Sequence, residues 1–339
     1  MSTLEYRTRL KLVLLAIAMV VAWHLAFPSV LQPQERELWE KVRSAQEHLA
    51  GWREQAGRLS PPGVDPWNCG MIGVEWSSIT TTVGEQGAKR TACNPAWAVQ
   101  FLRWFEELGL EPGDNVVVYS SASFPAMLLN ALAAAESAQL DVFLVVSLGA
   151  STWGANQPGA AWPDMAGELR RAGFLQKQAD FYTLGGEAEM GIGMVPEGVA
   201  ELEQAAERSG VGLLQADGLP SMVKLKSELL QERAPAAFVS IGGSHANLGG
   251  DPDVLKLTPG LLRPDAGLKA GSGVISFALE RQLPVIHVLN LKRMAAGNGI
   301  PWDSEPRRRA PSGVHAGWSV AGLVLFFLIV LTHRRWRLV

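Results

Sequence analysis

The densest chemistry in the sequence lies in residues 75–91, where three consecutive threonines, Thr80, Thr81 and Thr82, are followed by the adjacent cations Lys89 and Arg90. Hydroxyls beside two cations are the equipment for holding carboxylates or phosphates through charge-assisted hydrogen bonds. The same residues also suit a threonine-rich edge strand with a solvated basic turn, because β-branched side chains favour strands on their own account. Lys89 is in addition a candidate base or nucleophile.

Further hydroxyls and amides cluster in three other places. They are Ser120-Ser121-Ala122-Ser123-Phe124-Pro125, the run from Ser147 through Ser151, Trp153 and Asn156, and Gly242-Gly243-Ser244-His245-Ala246-Asn247-Leu248-Gly249-Gly250. Asn290 closes a late apolar run that contains His287. Ser123 can be read as a nucleophile with His287 or His245 as its base and the Gly242 and Gly243 amides as oxyanion donors. The nucleophile-elbow motif G-x-S-x-G is absent, and Pro125 stands where its second glycine belongs. Taken singly, such Ser and Gly residues are also ordinary caps and turn formers. The glycine pairs fit neither G-x-G-x-x-G nor a P-loop, so no nucleotide cofactor is expected. No H-E-x-x-H or Cys/His cluster is present, so no metal is expected either.

The elements that must position these residues alternate regularly. Strands are expected at 116–120, 142–147, 181–184, 211–215, 236–241 and 285–289. Helices are expected at 95–108, 125–138, 163–172, 196–208, 220–233 and 274–282. About six short β-branched strands separated by helices predict an α/β fold with a Rossmann-like, doubly wound, mostly parallel sheet. Ligands in such sheets bind beyond the carboxyl ends of the strands, which is where the hydroxyl-rich segments fall. Ahead of the sheet, Leu38, Trp39, Val42, Ala45, Leu49 and Trp52 make 35–56 an amphipathic helix, and the prolines of 58–68 mark a linker.

Of the 339 residues, 47% are hydrophobic and 19% charged, which suits a folded core and excludes a disordered chain. Charge is unevenly spread. Residues 32–304 hold 21 Lys and Arg against 31 Asp and Glu, while 1–31 and 305–339 are net basic. A middle segment of net charge −10 argues against nucleic acid as a partner. The basic ends contain the two longest apolar runs, and these approach the ~20 residues that span a bilayer. The organisation expected is a cytoplasmic N-terminus at 1–9, a transmembrane anchor at 10–31, an amphipathic helix and linker at 32–68 and an extracytoplasmic α/β domain at 69–304. A basic linker at 305–313, a transmembrane helix at 314–331 and a basic cytoplasmic tail at 332–339 follow. The α/β sheet is thus flanked by N- and C-terminal transmembrane helices, in a two-pass protein of the cell membrane in contact with the lipid bilayer. Arg307, Arg308 and Arg309 oppose this orientation, although long domains translocate largely regardless of such charges. Outside the membrane, Cys69 and Cys93 meet an oxidising compartment, where they either pair or remain two small buried thiols.

The ordered set Ser77-Ser78-Ile79-Thr80-Thr81-Thr82, Ala88-Lys89-Arg90-Thr91, Asn94-Pro95, Ser123-Phe124-Pro125-Ala126, Gly149-Ala150-Ser151-Thr152-Trp153-Gly154-Ala155-Asn156, Ile241-Gly242-Gly243-Ser244, Ala246-Asn247-Leu248-Gly249 and Pro284-Val285-Ile286-His287-Val288-Leu289-Asn290 resembles the poly-γ-glutamate system protein family. The resemblance spans about residues 71–301, and the chain departs from the family most in its C-terminal anchor region and in Cys69 and Cys93. It implies a membrane-anchored accessory of bacterial poly-γ-glutamate (capsule or exopolymer) biosynthesis, working beside the membrane subunits of the polymer synthase. Three activities follow as expectations. The first is binding and export of the anionic polymer, with Thr80–Thr82, Lys89 and Arg90 holding carboxylates and Ser121, Ser151, Trp153, Asn156, Gly242, Gly243, Ser244, Asn247 and Asn290 contacting amides. The second is a serine-type hydrolase or amide transferase acting through Ser123 and His287. The third is structural assembly of the synthase.

Overall fold

The computed structural model describes residues 30–264 and 270–311, together with Leu12, Val13, Leu15, Ile17, Met19, Gly322 and Phe326. Apart from those positions, the expected spans at 10–31 and 314–331 and both basic ends lie outside the described residues. Among the described residues no helix is long and apolar enough to cross a membrane.

In chain order the helices are α1 (Pro33–Gln55), α2 (Gln86–Ala92), α3 (Ala96–Glu107), α4 (Pro125–Ser137), α5 (Trp162–Arg171), α6 (Pro196–Ser209), α7 (Leu219–Arg233), α8 (His245–Leu248), α9 (Val274–Glu280) and α10 (Leu291–Gly297). The strands are β1 (Thr80–Thr82), β2 (Asn115–Ser121), β3 (Asp141–Ser147), β4 (Ala150–Ser151), β5 (Phe181–Thr183), β6 (Ala237–Ile241), β7 (Gly260–Leu262) and β8 (Val285–Val288).

Six strands form one sheet in the order β5-β3-β2-β6-β8-β7. All its pairings are parallel except β7 with β8. The period-2 alternation of strand side chains divides the apolar runs between two cores. Val116 and Val118 of β2 join one core with Trp97, Phe101, Leu128 and Leu132, whereas Val117 and Tyr119 join the other with Leu230, Val274 and Ala278. Helices therefore cover both faces, as a parallel sheet requires. Going along the chain, the order runs outward from β2 to β3 and β5, then returns to the other side of β2 with β6 and β8. This reversal leaves a crevice beyond the ends of β2 and β6.

The stripe of α1 packs on its own domain. Leu38, Val42, Ala45 and Leu49 are buried in the same core as α3 and α4, so the folded body begins at α1 rather than near Cys69. The bonds of Arg53 to Arg58 O (2.9 Å) and Gly70 O (3.1 Å) tie the proline-rich connection down.

Two expectations change at the sheet's margins. The strand expected at 211–215 makes only an isolated bridge from Leu213 to Tyr182, because this outermost run is largely half-exposed and pairs with no further strand among the described residues. Between the strand expected at 236–241 and the helix expected at 274–282, where no strand is expected, the chain supplies the antiparallel edge strand β7.

Cys69 and Cys93 form a disulfide, with Cα atoms 5.9 Å apart and 24 residues of separation. It ties the end of α2 to the chain that follows α1. A loop of this length limits the unfolded chain by about 3 kcal/mol. Replacing both cysteines by alanine should therefore lower the melting temperature by about 10 °C, at about 2–4 °C per kcal/mol for a domain of this size. A thermal melt of the double variant beside the oxidised and reduced wild type checks it.

Candidate functional site

A cleft of about 580 Å³ opens at the carboxyl ends of the strands. Its lining includes Ser121 and Ser123 after β2, Ser147 and Gly149 after β3, and Gly243 and Ser244 after β6, together with Thr81, Thr82, Lys89 and Ser151. The small parallel ladder of β1 with β4 brings the threonine motif to this end, pairing Thr80 with Ala150 and Thr82 with Ser151.

The segment read as a basic turn is the helix α2, and this changes the roles of its two cations. Successive helical residues point about 100° apart. Arg90 turns away from the cleft, donating to Val64 O (2.9 Å) and Gly63 O (2.7 Å) and pairing with Asp303 at 3.5 Å. Lys89 turns inward and is buried. Its Nζ lies 2.8 Å from Ser151 Oγ, donates to Ser123 O, and sits 3.7 Å from the centre of the Phe124 ring. No carboxylate pairs with it among the described residues. Burial lowers its pKa from 10.5 to about 7. In its neutral form the amine can donate one N–H to Ser123 O and direct its lone pair at the Ser151 hydroxyl, the arrangement of a general base with its nucleophile.

Ser123 holds this pair in place. Its Oγ accepts the Ser151 N–H at 2.9 Å and lies 3.0 Å from Ser121 Oγ, while its own N–H donates to Ser121 Oγ. Gly84 closes the other side, since a Cβ there would stand 2.8 Å from Ser151 Oγ and 3.0 Å from Thr152 O.

The expected pair of Ser123 with His287 is not formed. His287 lies within β8, opposite Ser240 and Gly260, while Ser123 lies beyond the end of β2. Its ring is buried, Nδ1 has no hydrogen-bond partner among the described residues, and burial lowers its pKa to about 4, so it is a neutral interior residue outside the cleft lining. His245, the other candidate, does line the cleft, with Nδ1 accepting the Ala188 N–H at 3.0 Å. Its proton is thereby assigned to Nε2 in the neutral ring, which makes it a donor rather than a base.

Several expected ligand contacts are structural. Asn156 is buried, bonding Val74 through both of its amide atoms and Thr80 Oγ1 at 3.0 Å. Asn247 bonds Tyr119 O and Ser240 Oγ. Asn290, with a positive φ of 47°, caps α10 through the Arg293 N–H. The Trp153 N–H is used on Val74 O. Gly242 adopts φ +80°, where a Cβ would meet Ser121 Cβ at 3.1 Å, and its N–H is spent on Val288 O. Thr80, Arg90, Trp153, Asn156, Gly242, Asn247 and Asn290 are thus absent from the cleft lining.

Beneath the cleft lies a feature the sequence reading missed, a fully buried pair of Glu189 with Lys226 at 3.0 Å. The carboxylate also accepts from Ser147 Oγ (2.9 Å), Thr183 Oγ1 (2.7 Å) and Ala246 N (3.0 Å), and it bonds the Ser244 hydroxyl. Burial pushes its pKa up, but the Lys226 charge and the hydroxyl hydrogen bonds outweigh that and hold it well below the usual carboxylate range. The available signal was Gly185-Gly186-Glu187-Ala188-Glu189, another glycine-bearing strand end like those already singled out.

Two stability measurements follow. Breaking the buried pair with Glu189→Gln should cost about 3–5 kcal/mol by leaving an ammonium unpaired, and adding Lys226→Met should recover part of that loss in denaturant titrations. For Lys89, the unfolded chain binds a proton below about 10.5 and the folded protein only below about 7. The stability of wild type relative to Lys89→Met should therefore rise with pH between those values and be flat below them, as urea titrations at successive pH values would report.

Comparison of the chain with family models, curated proteins and solved structures gives no match.

Proposed function

We propose that the cleft is a serine–lysine acyl-transfer site that cleaves or transfers amide bonds, with Ser151 as nucleophile and Lys89 as general base. The observation that carries this reading is the buried Lys89 Nζ, without an ion-pair partner among the described residues, 2.8 Å from Ser151 Oγ in a cleft at the strand ends. The sheet order supports it, because a Rossmann-like doubly wound sheet binds its ligands where the strand order reverses.

As Ser151 Oγ attacks the amide carbon, Lys89 takes the hydroxyl proton. The C–N bond then breaks, and the Lys89 ammonium returns the proton to the leaving amine. Water attacking the ester gives hydrolysis, and a second amine gives transfer. The Ser123 carbonyl holds Lys89 in position throughout, and the Nε2–H of His245 is available as a donor for the developing oxyanion.

The substrate assigned is γ-linked polyglutamate, on the sequence resemblance described above. In this reading the chain is a membrane-anchored accessory that trims or releases the polymer outside the membrane. A purely electrostatic polymer clamp is less well supported. Of its two cations, Arg90 faces away from the cleft, and Lys89, its pKa lowered to about 7 by burial, is only partly charged at pH 7 and is committed to Ser123 and Ser151.

Size analysis of poly-γ-glutamate incubated with the full-length protein tests the assignment. Ser151→Ala and Lys89→Met should each slow shortening or chain transfer by about 10²–10⁴-fold, the usual share of a general base and its nucleophile. Ser123→Ala, which removes the acceptor that positions the Ser151 N–H together with the bond to Ser121 Oγ and leaves Ser151 and Lys89 in place, should cost about tenfold. In wild type kcat should rise through pH 7 as Lys89 loses its proton. Unchanged turnover in Ser151→Ala would overturn the proposal.

A further inference from the structure

Resting on that reading, the charges around the cleft define which part of the polymer it takes. Glu85 and Glu187 both line the cleft and are exposed at its mouth. Among the described residues neither carboxylate takes part in an ion pair or a side-chain hydrogen bond. Among the described residues the lining contains no arginine, and Lys89 is its one lysine. Lys89 is itself committed to Ser123 and Ser151. The mouth is therefore anionic where it meets a substrate.

An internal segment of γ-linked polyglutamate carries one α-carboxylate on every unit and no cation. Two unpaired carboxylates at the entrance repel it, and the lining offers no guanidinium to offset that repulsion. The carboxyl-terminal unit adds a second carboxylate, and only the unit at the other end carries a cation. The amino-terminal glutamate bears a free α-ammonium, and its γ-carbonyl belongs to the first amide of the polymer.

We infer that the cleft is specific for the amino-terminal γ-glutamyl unit, whose α-ammonium is held by Glu85 and Glu187 while its γ-amide carbonyl faces Ser151. The enzyme then works from the end. The Ser151 Oγ–C bond forms, the C–N bond to the second unit breaks, and the proton taken by Lys89 passes to the departing nitrogen. That nitrogen becomes the α-amine of a chain one unit shorter, and water releases the bound unit as free glutamate. Each turnover recreates the group that Glu85 and Glu187 recognise.

The test uses the full-length protein with short γ-linked glutamate oligomers, one set with a free amino end and one N-acetylated, and follows products by mass spectrometry. Free-ended oligomers should lose glutamate one unit at a time, and acetylated oligomers should react at least about tenfold more slowly. The double variant Glu85→Gln/Glu187→Gln, altered only at exposed positions, should raise KM for the free-ended oligomer about tenfold, a larger change than in kcat. It should also narrow the gap between the two substrates. Equal rates on both sets, or internal fragments that disappear in Ser151→Ala, would overturn the end specificity and leave the acyl-transfer reading standing. Intact oligomers in every sample would overturn both.

Discussion

The amine of Lys89 is buried with no counter-charge among the described residues, and the arrangement of the strand ends accommodates that. A buried ammonium is costly unless paired, so the interior favours the neutral amine and lowers its pKa towards 7. What surrounds the nitrogen suits an uncharged donor and acceptor: a backbone carbonyl, a hydroxyl and an aromatic face. Holding those three in place draws on separate parts of the chain. The β2–α4 turn supplies Ser123 O and Phe124, β4 supplies Ser151, and α2 supplies the lysine. The disulfide from Cys93 fixes one end of α2, and the bond from Asp303 N to Thr91 Oγ1 holds it to the C-terminal segment.

Lys226 meets the same constraint with the opposite solution. It lies under the other wall and is paired with Glu189, whose remaining acceptor capacity is filled by hydroxyls from β3, β5 and the turn before α8 and by the Ala246 N–H. Ala188 and Glu189 adopt left-handed backbone, at φ +53° and +62°, a conformation costing roughly 1 kcal/mol per non-glycine residue. The buried ion pair and its hydrogen bonds over-determine that conformation. They set the wall formed by Gly185, Gly186 and Glu187, and that wall faces the cleft. One buried lysine is thus left chemically available while the other is locked, and the difference is a single carboxylate.

Much of the fold is legible in the sequence because β-branched runs such as Val116-Val117-Val118 are buried on both faces, and only a parallel sheet covered by helices achieves that. The location of the site is legible for the same reason, since the hydroxyl-rich segments follow the strands. Phase is what the sequence hides. Lys89 and Arg90 are neighbours in the chain, and only the short helix α2 sends one inward and the other out. Gly87 and the β-branched Thr91 weaken its helical pattern. His287 is lost to the cleft because its place within β8 puts it inside the sheet rather than at the strand's end. The buried pair of Glu189 with Lys226 joins residues 37 positions apart and leaves no local trace.

Charge joins the site to the polymer on the proposed reading. A domain of net charge −10 cannot retain a long polyanion by attraction, and at about 0.15 M salt repulsion still acts within roughly 8 Å of its surface. That counts against a storage or guiding role and suits a catalyst that must release its product. An end-acting enzyme needs to capture one ammonium and let go of everything behind it. On that reading the carboxylates at the mouth would perform the first task, and the net negative charge of the domain the second. Lys89 completes the arrangement by being uncharged when it acts. A permanently charged lysine in the same place would draw a substrate carboxylate onto the nucleophile and block the carbonyl from reaching Ser151 Oγ.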